Sequence, residues 1–107
     1  MNIRMKGTKI ELTESIKDYI QEKMDMLDKY LGHIKVQNLD VEVGMSVGGQ
    51  NSGKIYRAEV NMAVPGELLR VEKTEKDLYK AIDKVKDHLV RSIKRYKEKR
   101  LDQERKV

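Results

Sequence analysis

The sequence predicts an α+β fold with the element order β-α-β-β-β-α, a four-stranded sheet with two helices packed on one face. Three observations lead there. In the stretch from Thr74 to about Arg100, TEKDLYKAIDKVKDHLVRSIKRYKEKR, the residues Leu78, Ile82, Val85, Leu89, Ile93 and Tyr96 recur at steps of four and three. They form one apolar stripe on a 3.6-residue helix. Ile16, Ile20, Met24, Leu27 and Leu31 repeat the pattern on a shorter stretch. Between the two helices, apolar residues alternate with polar ones at a period of two, as half-buried strands require.

Asn2 to Lys6 alternates and predicts a short first strand, broken by Gly7 and Thr8. Thr13 is the expected N-cap of the first helix, with Glu14 beside it where negative charge is favoured, and Gly32 is its stop. On this helix Lys17, Lys23 and Lys29 lie among Asp18, Glu22, Asp25 and Asp28, so it offers no net basic face. A second strand, Leu39 to Val47, sets Leu39, Val41, Val43, Met45 and Val47 against Asp40, Glu42, Gly44 and Ser46. The run GGQNSG, Gly48 to Gly53, predicts a hairpin loop. A third strand turns Ala58, Val60, Met62 and Val64 inward and Arg57, Glu59 and Asn61 outward. Pro65-Gly66 then turns the chain into a fourth strand, Leu68 to Glu72. Thr74, with Asp77 three residues on, resembles a capping box that starts the long helix. A single antiparallel sheet with both helices on one face buries every stripe. If the first two strands are instead parallel neighbours, their connection is a right-handed crossover.

At 107 residues the chain fits one domain, assigned to residues 1–100, with 101–107 (LDQERKV) as a charged tail or the start of a linker. No apolar run approaches the length of a bilayer span, so no membrane partner is expected. MNIRMKG lacks the apolar segment of a signal peptide, and cysteine is absent; a cytoplasmic location fits both. The net charge of +5 is uneven. Residues 1–72 carry 10 basic and 11 acidic side chains, a balance of −1, whereas residues 73–107 carry 13 and 7, a balance of +6. That asymmetry points to a polyanionic partner.

Catalytic and metal chemistry find no support. His33 and His88 are the only histidines, 55 residues apart and without metal-ligand spacing. Each is expected to be an ordinary capping or surface residue. No serine lies in a nucleophile-elbow setting, and GGQNSG lacks the Lys-Ser/Thr of a phosphate loop. We therefore expect no enzyme activity, no cofactor, no metal and no small-molecule substrate. Of the five tyrosines only Tyr56 falls on a predicted strand, and Phe and Trp are absent, so the sheet cannot offer an aromatic platform for stacked bases.

What remains is the long helix. At 100° per residue Lys80, Lys84, Arg91, Lys94 and Arg95 fall roughly opposite its apolar stripe. Solubility alone could account for such a face. From Arg91 to Arg100, however, there are six basic residues and one acid, Glu98. Crowded cations repel unless counter-charge arrives. Neutralising about six phosphates makes affinity fall roughly a thousandfold between low and moderate salt.

Two stretches, NIRMKGTKIELTESIKDYIQEKMDMLDKYLG and TEKDLYKAIDKVKDHLVRSIKRYKEK, resemble the bacterial ribosome hibernation-promoting factors, the ribosome-associated inhibitor family. The specific segments are Gly7 to Glu14 and Asp77 to Lys97, and the likeness covers nearly the whole chain. The resemblance implies the same β-α-β-β-β-α order, a topology related to double-stranded-RNA-binding domains. It further implies a small-ribosomal-subunit partner, with the protein in the channel for messenger and transfer RNA, blocking initiation in stationary phase or stress. Of the rRNA-backbone contacts it implies, Arg91, Arg95 and Lys97 match the basic pattern, and Lys23 matches a basic position on the first helix. Lys84 and Lys94 are added from the helical wheel. Long members of the family carry a second domain that pairs ribosomes, and nothing in this chain resembles it. The chain is thus a short form or the first part of a longer protein, and pairing would need a C-terminal domain outside it. Two competing readings are a free double-stranded-RNA-binding module and a protein-interaction modulator of a transcription factor that uses the sheet face. A double-stranded-RNA module would carry lysines at the start of the last helix, where this chain has TEKDLYK, with two acids.

Overall fold

The structure, a computed structural model, describes residues 1–47 and 53–105. Its elements are β1 (Arg4–Thr8), α1 (Glu14–Asp25), α2 (Asp28–Leu31), β2 (Asn38–Val47), β3 (Lys54–Val64), β4 (Glu67–Glu75) and α3 (Leu78–Arg105). The four strands lie in sequence order. β2, β3 and β4 pair antiparallel, but β1 pairs parallel to β2. The sheet is therefore mixed and not wholly antiparallel, because the α1–α2 segment carries the chain back to the end of the sheet where β1 began.

One face of the sheet receives the helices. Leu39, Val41 and Val43 of β2, Ala58, Val60, Met62 and Val64 of β3, and Leu69 and Val71 of β4 meet the helical stripes in one core. All six expected stripe residues of α3 are buried, together with Ala81, and so are the five of the first helical stretch. Thr13 caps α1 as expected, its hydroxyl accepting from the Ile16 N–H at 3.2 Å.

Local departures have local causes. The first helical stretch divides into α1 and α2. Leu27 N–H bonds to Met24 O, three residues back, at 2.9 Å, and this tightened turn separates the two. Gly32 ends α2 with φ +58°, a backbone angle that glycine adopts without strain. Gly7 and Thr8 continue β1 instead of breaking it, pairing with Val43 and Gly44. Gly7 is required there because a Cβ would sit 2.6 Å from Ile10 O. Thr74 does not cap the long helix. β4 remains paired with β3 as far as Tyr56↔Glu75, which places Thr74 inside the ladder opposite Arg57. Asp77 is the cap, its carboxylate accepting from the Tyr79 N–H at 2.8 Å. Val47, expected inward, is 79% exposed, because β2 and β3 run beyond the ends of β1 and β4 at that point. The expected Gly48–Gly53 hairpin lies outside the described residues except for Gly53. α3 continues through Arg105, and residues 101–105 are exposed. Among the described residues no helix is long and apolar enough to cross a membrane.

Candidate nucleic-acid interface

α3 lies along the sheet above β3 and β4, with α1 and α2 against one flank and the other flank open above the β4 edge. Its apolar stripe fixes its rotation, and the rotation decides which charges meet water. The six expected contact residues then separate into two groups.

Arg91, Lys94 and Arg95 are exposed, and among the described residues none of them has an acidic partner within salt-bridge distance. Lys94 stands over the Tyr30 ring, 5.5 Å from its centroid. Lys97 is exposed as well, and its ammonium donates to Tyr30 O at 3.0 Å, a bond that holds it without cancelling its charge.

Lys84 and Lys23 differ. The Lys84 ammonium lies 3.0 Å from a Glu75 carboxylate oxygen. Lys23 is half-buried, 3.5 Å from Asp83 and 5.2 Å from the Tyr19 ring centroid. Asp83 also accepts from the Tyr19 hydroxyl at 2.6 Å. That hydrogen bond is the main reason the Tyr19 phenol is pushed up to about 12. Tyr19 meets Tyr79 edge to face at 4.7 Å. Lys23 therefore belongs to a clasp that ties α1 to α3, and its charge is already answered. The helical wheel sets Lys84 opposite the apolar stripe, and it is exposed there, but the wheel could not show that Glu75 of β4 reaches up to it.

Three further residues join this surface. Lys29, on α2, has its ammonium 5.2 Å from the Tyr30 ring centroid, so Tyr30 stands among Lys29, Lys94 and Lys97. Lys73 follows Leu69 and Val71 on the helix-facing side of β4, under the open flank of α3. His88 is half-buried on that flank. Its imidazole is held below the ordinary range, first by burial and then by the charges of Lys73, Arg91 and Arg95. The period-two count on β4 carries the signal for Lys73; nothing in the sequence marks His88.

The sheet's opposite face is a useful contrast. Arg4, Lys6, Arg57 and Arg70 share it with Asp40, Glu42, Glu59 and Glu72, four cations with four anions. Arg4 bonds Asp40, Lys6 reaches Glu42, Arg70 reaches Glu59, and Arg57 reaches Glu42, Glu59 and Glu72. That face has no charge to spare. Tyr56 faces the helices, so no aromatic platform stands on it either.

Comparison with known proteins agrees with the fold. A family model described as "Sigma 54 modulation protein / S30EA ribosomal protein" matches residues 3–101. A ribosome hibernation promotion factor of Deinococcus radiodurans is 34% identical over 101 residues, covering 94% of this chain and 51% of that protein. One from Bacillus subtilis is 31% identical, covering 92% of this chain and 50% of that protein. The chain thus spans about half the length of these curated relatives. The crystal structure of the N-terminal domain of Thermus thermophilus Protein Y superposes with a TM-score of 0.71 at 37% identity, over 90% of this chain and 99% of that one.

Proposed function

The chain belongs to the Sigma 54 modulation protein / S30EA ribosomal protein family, and we propose that it is a non-enzymatic translation inhibitor that binds the small ribosomal subunit. In this reading the protein occupies the channel for messenger and transfer RNA in stationary phase or stress. The outer side of α3 holds the rRNA backbone. The relatives' names, ribosome hibernation promotion factor, support the partner. The observation that carries the reading is the imbalance on α3, where Arg91, Lys94 and Arg95 are exposed and, among the described residues, have no acidic partner within salt-bridge distance. Lys97 adds a fourth charge. Phosphodiesters supply the missing anions, and they do so whatever the base sequence.

Lys84 and Lys23 have lesser parts in this scheme. Lys84 reaches phosphate only by leaving Glu75, and Lys23 serves chiefly by fixing α1 against α3.

Co-sedimentation with purified small subunits across a salt series tests the proposal. Wild-type protein is expected to pellet at low salt and to be released steeply as salt rises. The double variant Arg91→Glu with Arg95→Glu is expected to bind at least ~100-fold more weakly with an unchanged melting temperature. Undiminished pelleting of that variant at physiological salt rejects the assigned face. Equal affinity for a plain RNA duplex and for small subunits would favour the free RNA-binding module. Salt-insensitive capture of a protein would favour the transcription-factor modulator.

A further inference from the structure

We infer that Lys73, Arg91 and Arg95 form one phosphodiester-binding subsite with His88 beside them, so that RNA binding there is coupled to protonation of His88. The inference rests on the rRNA-backbone reading of α3 and adds a strand residue and a titrating group to it.

The subsite is assembled from two elements. β4 contributes Lys73, which the strand's period of two turns toward the helix. α3 contributes His88, Arg91 and Arg95, three and four residues apart in succession and so about one turn each. The charges that act on His88 are Lys73 from β4 and Arg91 and Arg95 from α3; Glu75, on the same face of β4 as Lys73, and Lys84, four residues before His88, are the nearby pair. Glu75 is engaged by Lys84 at 3.0 Å, so the rest of the cluster is cationic. α1 and α2 contact the other flank through Asp83, Lys94 and Lys97, and among the described residues the charges that shift His88 include no acid.

His88 also has an unmet requirement. Its Nδ1 is buried and has no hydrogen-bond partner among the described residues. A buried polar atom without a partner costs stability and needs a reason. With three cations around it, the ring resists a proton, and burial resists it further. A phosphate seated on Lys73, Arg91 and Arg95 reverses the electrostatic part of that resistance. Its negative charge favours imidazolium, and the ring need not touch it for this to hold. By linkage the effect is reciprocal: if phosphate raises the affinity of His88 for a proton, the proton raises the affinity of the cluster for phosphate by the same factor. One group takes up at most one proton, so the logarithm of affinity against pH gains a slope no steeper than one at this site.

The experiment measures affinity of full-length protein for purified small ribosomal subunits at fixed ionic strength between about pH 8 and about pH 5.5, a span around the ordinary imidazole pKa. Wild type, Lys73→Gln and His88→Gln are compared, each checked for an unchanged circular dichroism spectrum. Subtracting the His88→Gln profile removes the ribosome's own titration and that of every other group on the protein. Wild type is expected to gain severalfold more affinity than His88→Gln on acidification. The two proteins should match at the alkaline end, where the ring is neutral. Lys73→Gln is expected to bind several times more weakly at every pH. Parallel wild-type and His88→Gln profiles, or full affinity in Lys73→Gln, overturn the inference while leaving small-subunit binding in place. If wild type fails to bind small subunits at any pH, the underlying reading fails instead. In the free wild-type protein an NMR titration of the ring offers an independent check: His88 should titrate below the ordinary imidazole range, and a short single-stranded RNA should move it upward. No upward movement sinks the coupling.

Discussion

On the outer face of the sheet, Arg57 lies within 3.5 Å of three carboxylates, those of Glu42, Glu59 and Glu72. On the outer side of α3, Arg91 and Arg95 have none among the described residues. The register explains the first case. Glu42, Glu59 and Glu72 stand directly opposite one another across β2, β3 and β4, an arrangement that repels. Arg57, one inward–outward repeat along β3, reaches all three and turns the repulsion into a network. Arg91 and Arg95 are four residues apart on one helical face, where like charges cost a few tenths of a kcal/mol, and among the described residues neither has a salt-bridge partner to relieve them. A face that satisfies its charges internally serves the fold, and one that leaves them unanswered is the face proposed above to meet a partner.

Matched charge reversals should break this comparison if it is wrong. Arg91→Glu with Arg95→Glu carries the largest expected effect, a loss of at least ~100-fold in small-subunit binding. Arg4→Glu with Lys6→Glu changes the net charge by the same amount on the other face. It should leave binding within about fivefold, the share of long-range attraction alone. Equal losses from both pairs would mean that net charge, and not a particular face, governs binding.

Arg57→Leu sharpens the same contrast from the stability side. It removes the cation shared by three adjacent glutamates and leaves Glu72 without its ion pair, and chemical denaturation should show a loss of about 1–3 kcal/mol with ribosomal affinity unchanged. The pH dependence has a definite sign. Arg57 and Thr8 hold Glu42 below the usual carboxylate range, and Asn61 chiefly holds Glu59 there. Their contribution is complete above the unfolded-state value of 4.5 and is lost as pH falls through the lower folded values. Arg57→Leu should therefore lose less stability on acidification than wild type does. A steeper acid loss in the variant would contradict the network.

A smaller effect separates the two kinds of lysine. Lys94→Gln should weaken small-subunit binding roughly fivefold, about 1 kcal/mol, with little change in melting temperature. Lys23→Gln should change affinity by less than about twofold and instead lower stability slightly through the α1–α3 clasp. The reverse pattern, measured by binding and thermal melts, would return Lys23 to the RNA surface. The smallest effect concerns His88 in the isolated protein. Its imidazole is held low, so the unfolded chain takes the proton first, and stability declines as pH drops below about 6.5. His88→Gln should remove that component.

The helices were legible because burial follows a period the sequence displays openly. Leu78 through Tyr96 on α3 and Ile16 through Leu31 on the first stretch are all buried where their spacing put them. Boundaries were less legible. Whether Thr74 caps a helix or extends a strand depends on how far β3 continues beside it, and that partner is distant in sequence. The same holds for Gly7, whose need for a missing side chain comes from Ile10 folding back across it. Within the basic surface, Arg91, Lys94 and Arg95 could be placed from the helical wheel alone.

The sequence by itself determined the order of elements, the buried face of each and the concentration of positive charge in the last third of the chain, since these depend on periodicity and composition. Only the tertiary structure decided that β1 runs parallel to β2, that Lys84 and Lys23 are answered by Glu75 and Asp83, and that the charges of Lys73, Arg91 and Arg95 bear on His88. The physical reason is reach. Periodicity describes one element at a time, whereas a charge is neutralised by whatever another element brings within a few ångströms, and only the packed chain sets that distance.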